Sequence, residues 1–531
     1  MQITDDESWN MKASARPKRA AIGAVITASS LLAACTAGDS GTNPPGSGNP
    51  PGPGTPPSQL AQKCAPANPY AHDASGRLLG GYADGTLGSE KAWVAAYMNQ
   101  AYLWYREIPQ VDANAAGYSD ADAHYASIDA YLQALRTKAI NLDGSDKDRF
   151  SFTYPTADYN QLLQSGVIFG YGAEWKIAST TPPRNIRVTY VEAGTSAAQA
   201  GIQRGDRLVS ATINGTNVAV DTTVPAQIEL LNDALAPSQN GQVVELELTN
   251  ATGVTRRVSV VGGQVTTRPV FLTDVLAIGG ERIGYMVVND FVTPAEAPMA
   301  AAMERFRDQS ITELIVDLRY NGGGFVHLAS QLAYMVAGRS RSSGRVFEAY
   351  QYSDKRVSEN HSIGFLDTTT GFEGSGTTAN QPLPQLDLQR LIVLSTAATC
   401  SASESLVNGL RGIGMMAVLV GARTCGKPYG FVQKDNCGIS YFPIEFQGVN
   451  ANGFGNYADG LDVSCAANDD LNRQLGDRNE GLLAAALAYR VNGTCPALQA
   501  TAKDDGGDPS RGRLIRSPVR EGKYLHAGSG P

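Results

Sequence analysis

Three short stretches carry residue types that could run an acyl transfer. The first is Thr-Cys-Ser-Ala-Ser-Glu at 399–404, which follows an apolar strand at 391–398 and opens a helical pattern. A serine at a strand-to-helix turn exposes its hydroxyl and feels the positive end of the helix dipole. The same residues fit a plain helix cap, with Ser401 as N-cap and Glu404 three residues on. The second stretch is Gly-Lys-Pro-Tyr-Gly at 426–430, just past an apolar strand at 415–424. Lys427 can take a proton from the serine only if burial lowers its pKa toward neutrality; otherwise it is a solvated loop lysine. The third is Asn321-Gly322-Gly323-Gly324, after an apolar strand at 313–319. Consecutive glycines let backbone N–H groups approach a reacting carbonyl oxygen, and they also suit a tight turn.

Other chemistries fit poorly. The five histidines, at 72, 124, 327, 361 and 526, are scattered without HExxH or a His/Cys cluster, which argues against a zinc site. There is no GxSxG elbow, and after His361 the next histidine is His526, so a Ser-His-Asp triad is disfavoured. SxxK and GxxxxGK[ST] are both absent. Between Trp175 and the C-terminal tail, lysine occurs only at 176, 355, 427 and 434. A net charge of −8 argues against nucleic acid as a partner. No metal or cofactor is needed for the chemistry these residues suggest.

The elements that must position the three turns alternate. Over 268–497, buried apolar strands are separated by helices at 295–309 and 401–413. That pattern indicates an α/β core with a largely parallel sheet, whose function lies past the strand C-termini. Residues 165–267 read instead as short strands with Gly-rich turns, including 185–191, a short helix over 196–200 and a strand at 208–213. Residues 61–164 are helical, with Trp93, Tyr97, Ala101 and Tyr105 on one stripe of a helix over 92–108 and a second helix over 124–139.

The N-terminus reads as an address. Lys12, Arg16, Lys18 and Arg19 precede an apolar stretch from Ala20 to Leu32 and then Leu32-Ala33-Ala34-Cys35. This describes a leader over 1–34. Residues 35–60 are rich in Gly, Pro, Ser and Thr and make a semi-extended tether. The other six cysteines, 64, 400, 425, 437, 465 and 495, permit three disulfides in an exported protein, with Cys425 and Cys437 a candidate hairpin pair. The segment 498–531 is polar and Gly-rich and is expected to be disordered.

Two family resemblances attach to these motifs. The run S-A-A-x-A-G-I-x-x-G-D-x-L-x-x-x-x-I-N-G at 196–215 resembles PDZ domains of bacterial periplasmic proteases. It implies that the loop Gly170-Tyr171-Gly172-Ala173 offers N–H groups to a free peptide C-terminus, with the peptide adding a strand to the sheet edge. The order PDZ, DLRYNGGG, TCSASES, GARTCGKPYGFVQ resembles the C-terminal processing serine peptidases. That resemblance implies a ClpP/crotonase-like βαβ-spiral core, a Ser401 nucleophile and a Lys427 base. It also implies an oxyanion hole from Ala402 with Gly322 or Gly323, and an orienting role for Gln433. The substrates implied are polypeptides with free C-termini; a PDZ-bearing scaffold without catalysis is the alternative. The Leu-Ala-Ala-Cys ending resembles a bacterial lipobox and implies a lipid anchor on Cys35, a membrane association and an envelope location, the outer membrane in particular. The sequence departs from the family pattern in places. Ser401 and Lys427 are 26 residues apart, one more than usual, and Gly412 stands where some members carry Asp. Cys400 and Cys425 precede the two catalytic turns, where a disulfide would bind them together.

Overall fold

The computed structural model describes residues 2–3, 55–141, 144–237, 239–496 and 513–515. The expected leader at 1–34, the anchor at Cys35 and most of the tether and tail lie outside them. Among the described residues no helix is long and apolar enough to cross a membrane.

A six-stranded sheet organises the larger unit. Val270–Ile278 pairs antiparallel with Glu281–Val288. The strands Glu313–Asp317, Arg390–Ser395, Met416–Gly421 and Cys465–Ala466 then follow in parallel. The inner strands are near-continuous aliphatic runs because both their faces are covered. Helices Val326–Ala337 and Ala402–Gly412 join the main apolar cluster on one face through Leu328, Leu332, Leu406 and Leu410. Helix Gly481–Asn492 covers the other through Leu482 and Leu483, in a cluster with Ile315, Ile392 and Val418. Ile315 pairs with Ile392, and Ile392 with Val418. This common register delivers the three chemistry-bearing turns to one C-terminal sheet edge.

The N-terminal helices are part of this core. Trp93, Tyr97 and Ala101 are buried on Leu87–Ala101, and Tyr131 and Leu132 on His124–Leu135, in the same apolar cluster as the sheet helices. The first helix stops at Ala101 and does not run to 108. Leu103 N–H donates to Ile444 O at 2.7 Å, and the Tyr102 hydroxyl donates to Asp148 at 2.7 Å, which draws the chain away from its helix. Phe152–Pro155 pairs with Ile439–Phe442, and Cys64 is bonded to Cys437.

The other two disulfides are Cys400–Cys425 and Cys465–Cys495. The expected Cys425–Cys437 pair therefore does not form. Cys425 leaves the parallel sheet beside Cys400, whereas Cys437 sits at a hairpin tip that reaches Cys64.

Residues 167–266 form a small antiparallel unit with its own apolar cluster. Its sheet runs in the order Thr255–Val261, Val243–Thr249, Arg207–Ile213, Ile186–Val191, Ala173–Ile177. Arg513–Ile515 then pairs antiparallel with Ala173–Ile177. These three residues depart from the disorder expected of 498–531, because Leu514 buries its side chain against Tyr190 and Tyr320.

Candidate active site

Ser401 is the N-cap of helix Ala402–Gly412 and has φ 58° and ψ −119°. Such a backbone suits glycine; for serine it stores on the order of 1–3 kcal/mol of strain. The residue is 1% exposed, and its Oγ makes no hydrogen bond among the described residues. Ser401 and Glu404 form the expected capping box, in which Glu404 accepts the Ser401 N–H at 2.9 Å. The serine hydroxyl is held at the helix N-terminus without a partner.

Glu404 links this turn to the next. Its buried carboxylate accepts the Lys427 N–H at 2.8 Å, the Gly426 N–H at 2.9 Å and the Thr424 hydroxyl. Burial raises its carboxyl pKa, and the Thr424, Lys427, Gly426 and Ser401 donors oppose that rise. The Cys400–Cys425 disulfide adds a covalent tie between the same two turns, and Cys425 N–H donates to Thr399 O at 3.0 Å. Cys400, Glu404 and Cys425 have metal-ligand types close together. Both sulfurs are joined to each other, however, and the carboxylate is already surrounded by donors.

Lys427 is 8% exposed. Its ammonium group lies over the Phe431 ring at 4.2 Å and the Phe150 ring at 5.4 Å. Burial pushes its pKa down to about 8, against the opposing fields of Asp148 and Glu404. Asp148 is itself fixed by the Tyr102 hydroxyl, the Phe150 and Ser151 N–H groups and the Ser151 hydroxyl. Its neighbour Arg149 donates to Cys425 O at 2.8 Å. The N-terminal unit thus builds one wall of the lysine pocket. Nothing near Lys427 in sequence indicated Phe150 or Asp148.

The glycine turn lies directly on the serine turn. Asn321 O accepts the Cys400 N–H at 3.0 Å and the Ser403 hydroxyl at 3.2 Å. A Cβ at Gly323, whose φ is 111°, would stand 2.7 Å from Ser401 Cβ and 3.1 Å from Ala402 N, so glycine is required there. The two glycines offered for an oxyanion hole now separate. Gly323 N–H donates to Asn321 Oδ1 at 2.8 Å. Gly322 and Ala402 N–H donate to no other described residue. The Gly323 alternative is corrected accordingly.

Gln433 does not meet Lys427. Its amide nitrogen donates to Asn160, Asp435 and Ser440, and no hydrogen bond joins it to the lysine. The intervening strand Tyr429–Val432 carries it away from the lysine turn at about 3.3 Å per residue.

In the smaller unit, Gly170-Tyr171-Gly172-Ala173 turns between Val167–Gly170 and Ala173–Ile177 and borders a small cleft with Glu174, Glu192 and Leu235. Tyr171 does not face a ligand with its side chain. The ring is buried, and its hydroxyl accepts from Trp175 Nε1 at 2.9 Å. The N–H groups of Tyr171 and Gly172 donate to no described residue.

Comparison with known proteins is consistent in kind. Residues 282–434 match Peptidase family S41, and residues 89–152 match the Peptidase S41 N-terminal domain. A carboxyl-terminal-processing protease of Picosynechococcus sp. is 26% identical over 243 residues, 45% of this chain and 50% of the relative. One of Synechocystis sp. is 24% identical over 292 residues, 54% of this chain and 60% of the relative. The chain thus spans about half the length of the curated relatives it matches. An S41 protease of Bacteroides fragilis, solved by crystallography, shares the fold with a TM-score of 0.57. It is 24% identical, covering 76% of this chain and 97% of that one.

Proposed function

We propose, for a chain that belongs to peptidase family S41, that Ser401 and Lys427 form a nucleophile–base dyad for the hydrolysis of polypeptides. The observation that carries this reading is the shared carboxylate of Glu404. It holds the backbone of Ser401 and of Lys427 at once, so the two turns keep one geometry.

The chemistry follows from the residues. Neutral Lys427 accepts the proton of Ser401 Oγ as that oxygen attacks a peptide carbonyl carbon. Negative charge develops on the carbonyl oxygen, where the Gly322 and Ala402 N–H groups stabilise it. The C–N bond breaks, and the Lys427 ammonium returns its proton to the departing amine. Water then attacks the acyl-enzyme with Lys427 again as base, releasing the new carboxylate and restoring Ser401. A lysine whose pKa is near 8 is partly neutral at physiological pH, as a general base must be.

Residues 165–267 are read as a PDZ domain. A substrate's terminal carboxylate would be bound by the Tyr171 and Gly172 N–H groups, and its strand would pair with Ala173–Ile177. The three disulfides suit an oxidising compartment. With the leader and Cys35 they support a lipid-anchored protein of a bacterial envelope.

The test is cleavage of an unfolded protein by the chain from residue 60, alongside Ser401→Ala and Lys427→Ala. Substrates with free and amidated C-termini are compared. Loss of cleavage in both variants is expected, with weaker cleavage of the amidated substrate. A wild-type chain that binds free C-termini without cutting would replace this reading with a scaffold.

A further inference from the structure

We propose that the segment Arg513–Ile515 is a built-in occupant of the edge at which a substrate strand would add, and that it holds the protease closed until it is displaced. The proposal rests on the peptidase and PDZ readings above. Ala173–Ile177 is bonded to Ile186–Val191 on one side, so its other side is open to an added strand. Arg513–Ile515 takes that side, with Arg513 opposite Ile177, Leu514 opposite Lys176 and Ile515 opposite Trp175. The pairing is antiparallel, so the segment runs toward the Gly170–Ala173 turn. A peptide that ends at the Tyr171 and Gly172 N–H groups must run the same way.

The segment also touches the larger unit. Leu514 is 4% exposed and belongs to an apolar cluster with Tyr190 and Tyr320, against which Phe271, Ala398 and Leu475 pack. Tyr320 immediately precedes Asn321 of the glycine turn, and Ala398 lies three residues before Ser401. One aliphatic side chain therefore touches the ground shared by the small unit and two catalytic turns. Ile515 is followed by Arg516 and so carries no terminal carboxylate. The segment competes for the strand edge without delivering the group that the loop would bind. The partner that fits is an extended polypeptide with a free C-terminus, a few residues beyond a large aliphatic side chain placed where Leu514 sits. Main-chain pairing would supply its affinity and the Leu514 pocket its selectivity.

The experiment compares the chain with a variant lacking 498–531 and with Leu514→Asp. The readouts are kcat/KM on an unfolded protein and hydrogen exchange at the amides of 174–177. A tethered competitor acts at roughly millimolar effective concentration, so either change is expected to raise kcat/KM by about tenfold or more. The amides within 174–177 that face the segment should lose protection, while those facing Ile186–Val191 keep it. A synthetic peptide of residues 510–518 added to the shortened chain should restore that protection and inhibit competitively. Unchanged exchange and unchanged kcat/KM in both variants would overturn the proposal. Changed exchange with unchanged cleavage, in a protease that cuts, would overturn the closing role. Labelling of Ser401 by a fluorophosphonate separates the two readings. No labelling and no cleavage in any form overturns the peptidase reading, and the closing role with it, while exchange still decides the pairing.

Discussion

Ser401 combines a strained backbone, a buried hydroxyl without a partner and a helix N-terminus at its back. None of these favours folding, and all of them favour a reactive oxygen. Replacing the serine with glycine removes the strain and the hydroxyl together. Ser401→Gly is expected to abolish cleavage and to raise stability by about 1 kcal/mol, read as a higher midpoint in urea. A destabilised variant would show that the turn is relaxed with serine in place. Gly323 shows the opposite constraint, since any side chain there meets Ser401 Cβ. Ser401, Lys427 and the glycine turn were legible in the sequence because each directly follows a strand that writes itself as an aliphatic run. Gln433 was misassigned because its spacing from Lys427 says nothing of the strand between them, which takes it to Asn160.

At the scale of elements, the lysine pocket depends on a segment 277 residues away. The amine lies over the Phe150 ring, and the charges of Asp148, two residues earlier, and of Glu404 oppose the effect of burial. Phe431 completes the apolar wall. Removing the Phe150 ring readmits water and favours the ammonium, and this outweighs the loss of a weak cation–π contact at 5.4 Å. Phe150→Ala is therefore expected to move the acid limb of the kcat/KM profile upward by about half to one pH unit. An unmoved limb with reduced activity would reduce Phe150 to a packing role. No local pattern could have announced this contact. The Cys64–Cys437 link, whose ends are 373 positions apart, was equally silent, whereas Cys400–Cys425 stood beside two motifs already singled out.

For the whole molecule, a buried charge network joins the small unit to the core. Arg204 donates to Asp469 and to the Tyr320 hydroxyl, while Arg319 binds Asp317, Asp469 and Glu480. Burial works against the Asp469 carboxylate, but Arg204, Lys176 and Arg319 hold its pKa far below the ordinary range. A carboxylate depressed in the folded state contributes stability above its unfolded pKa near 4, and loses it as pH falls. Asp469→Asn should therefore cost on the order of 3 kcal/mol at pH 7. The gap to wild type should narrow as pH falls from 4 toward 3 in denaturant titrations, and a constant gap would contradict the assignment. The α/β class and the separate small unit were readable from strand and turn patterns. The fusion of the N-terminal helices with the core was not, because their buried stripe names no partner.

The most direct test of the dyad follows covalent labelling of the intact chain by a fluorophosphonate, by mass spectrometry, from pH 6 to 10. The dyad gives a single adduct on Ser401 whose rate rises with a midpoint near 8, the pKa to which burial brings Lys427. It also gives near-complete loss of labelling in Lys427→Ala. An adduct on another residue, or a Lys427→Ala chain labelled at the wild-type rate, would contradict it.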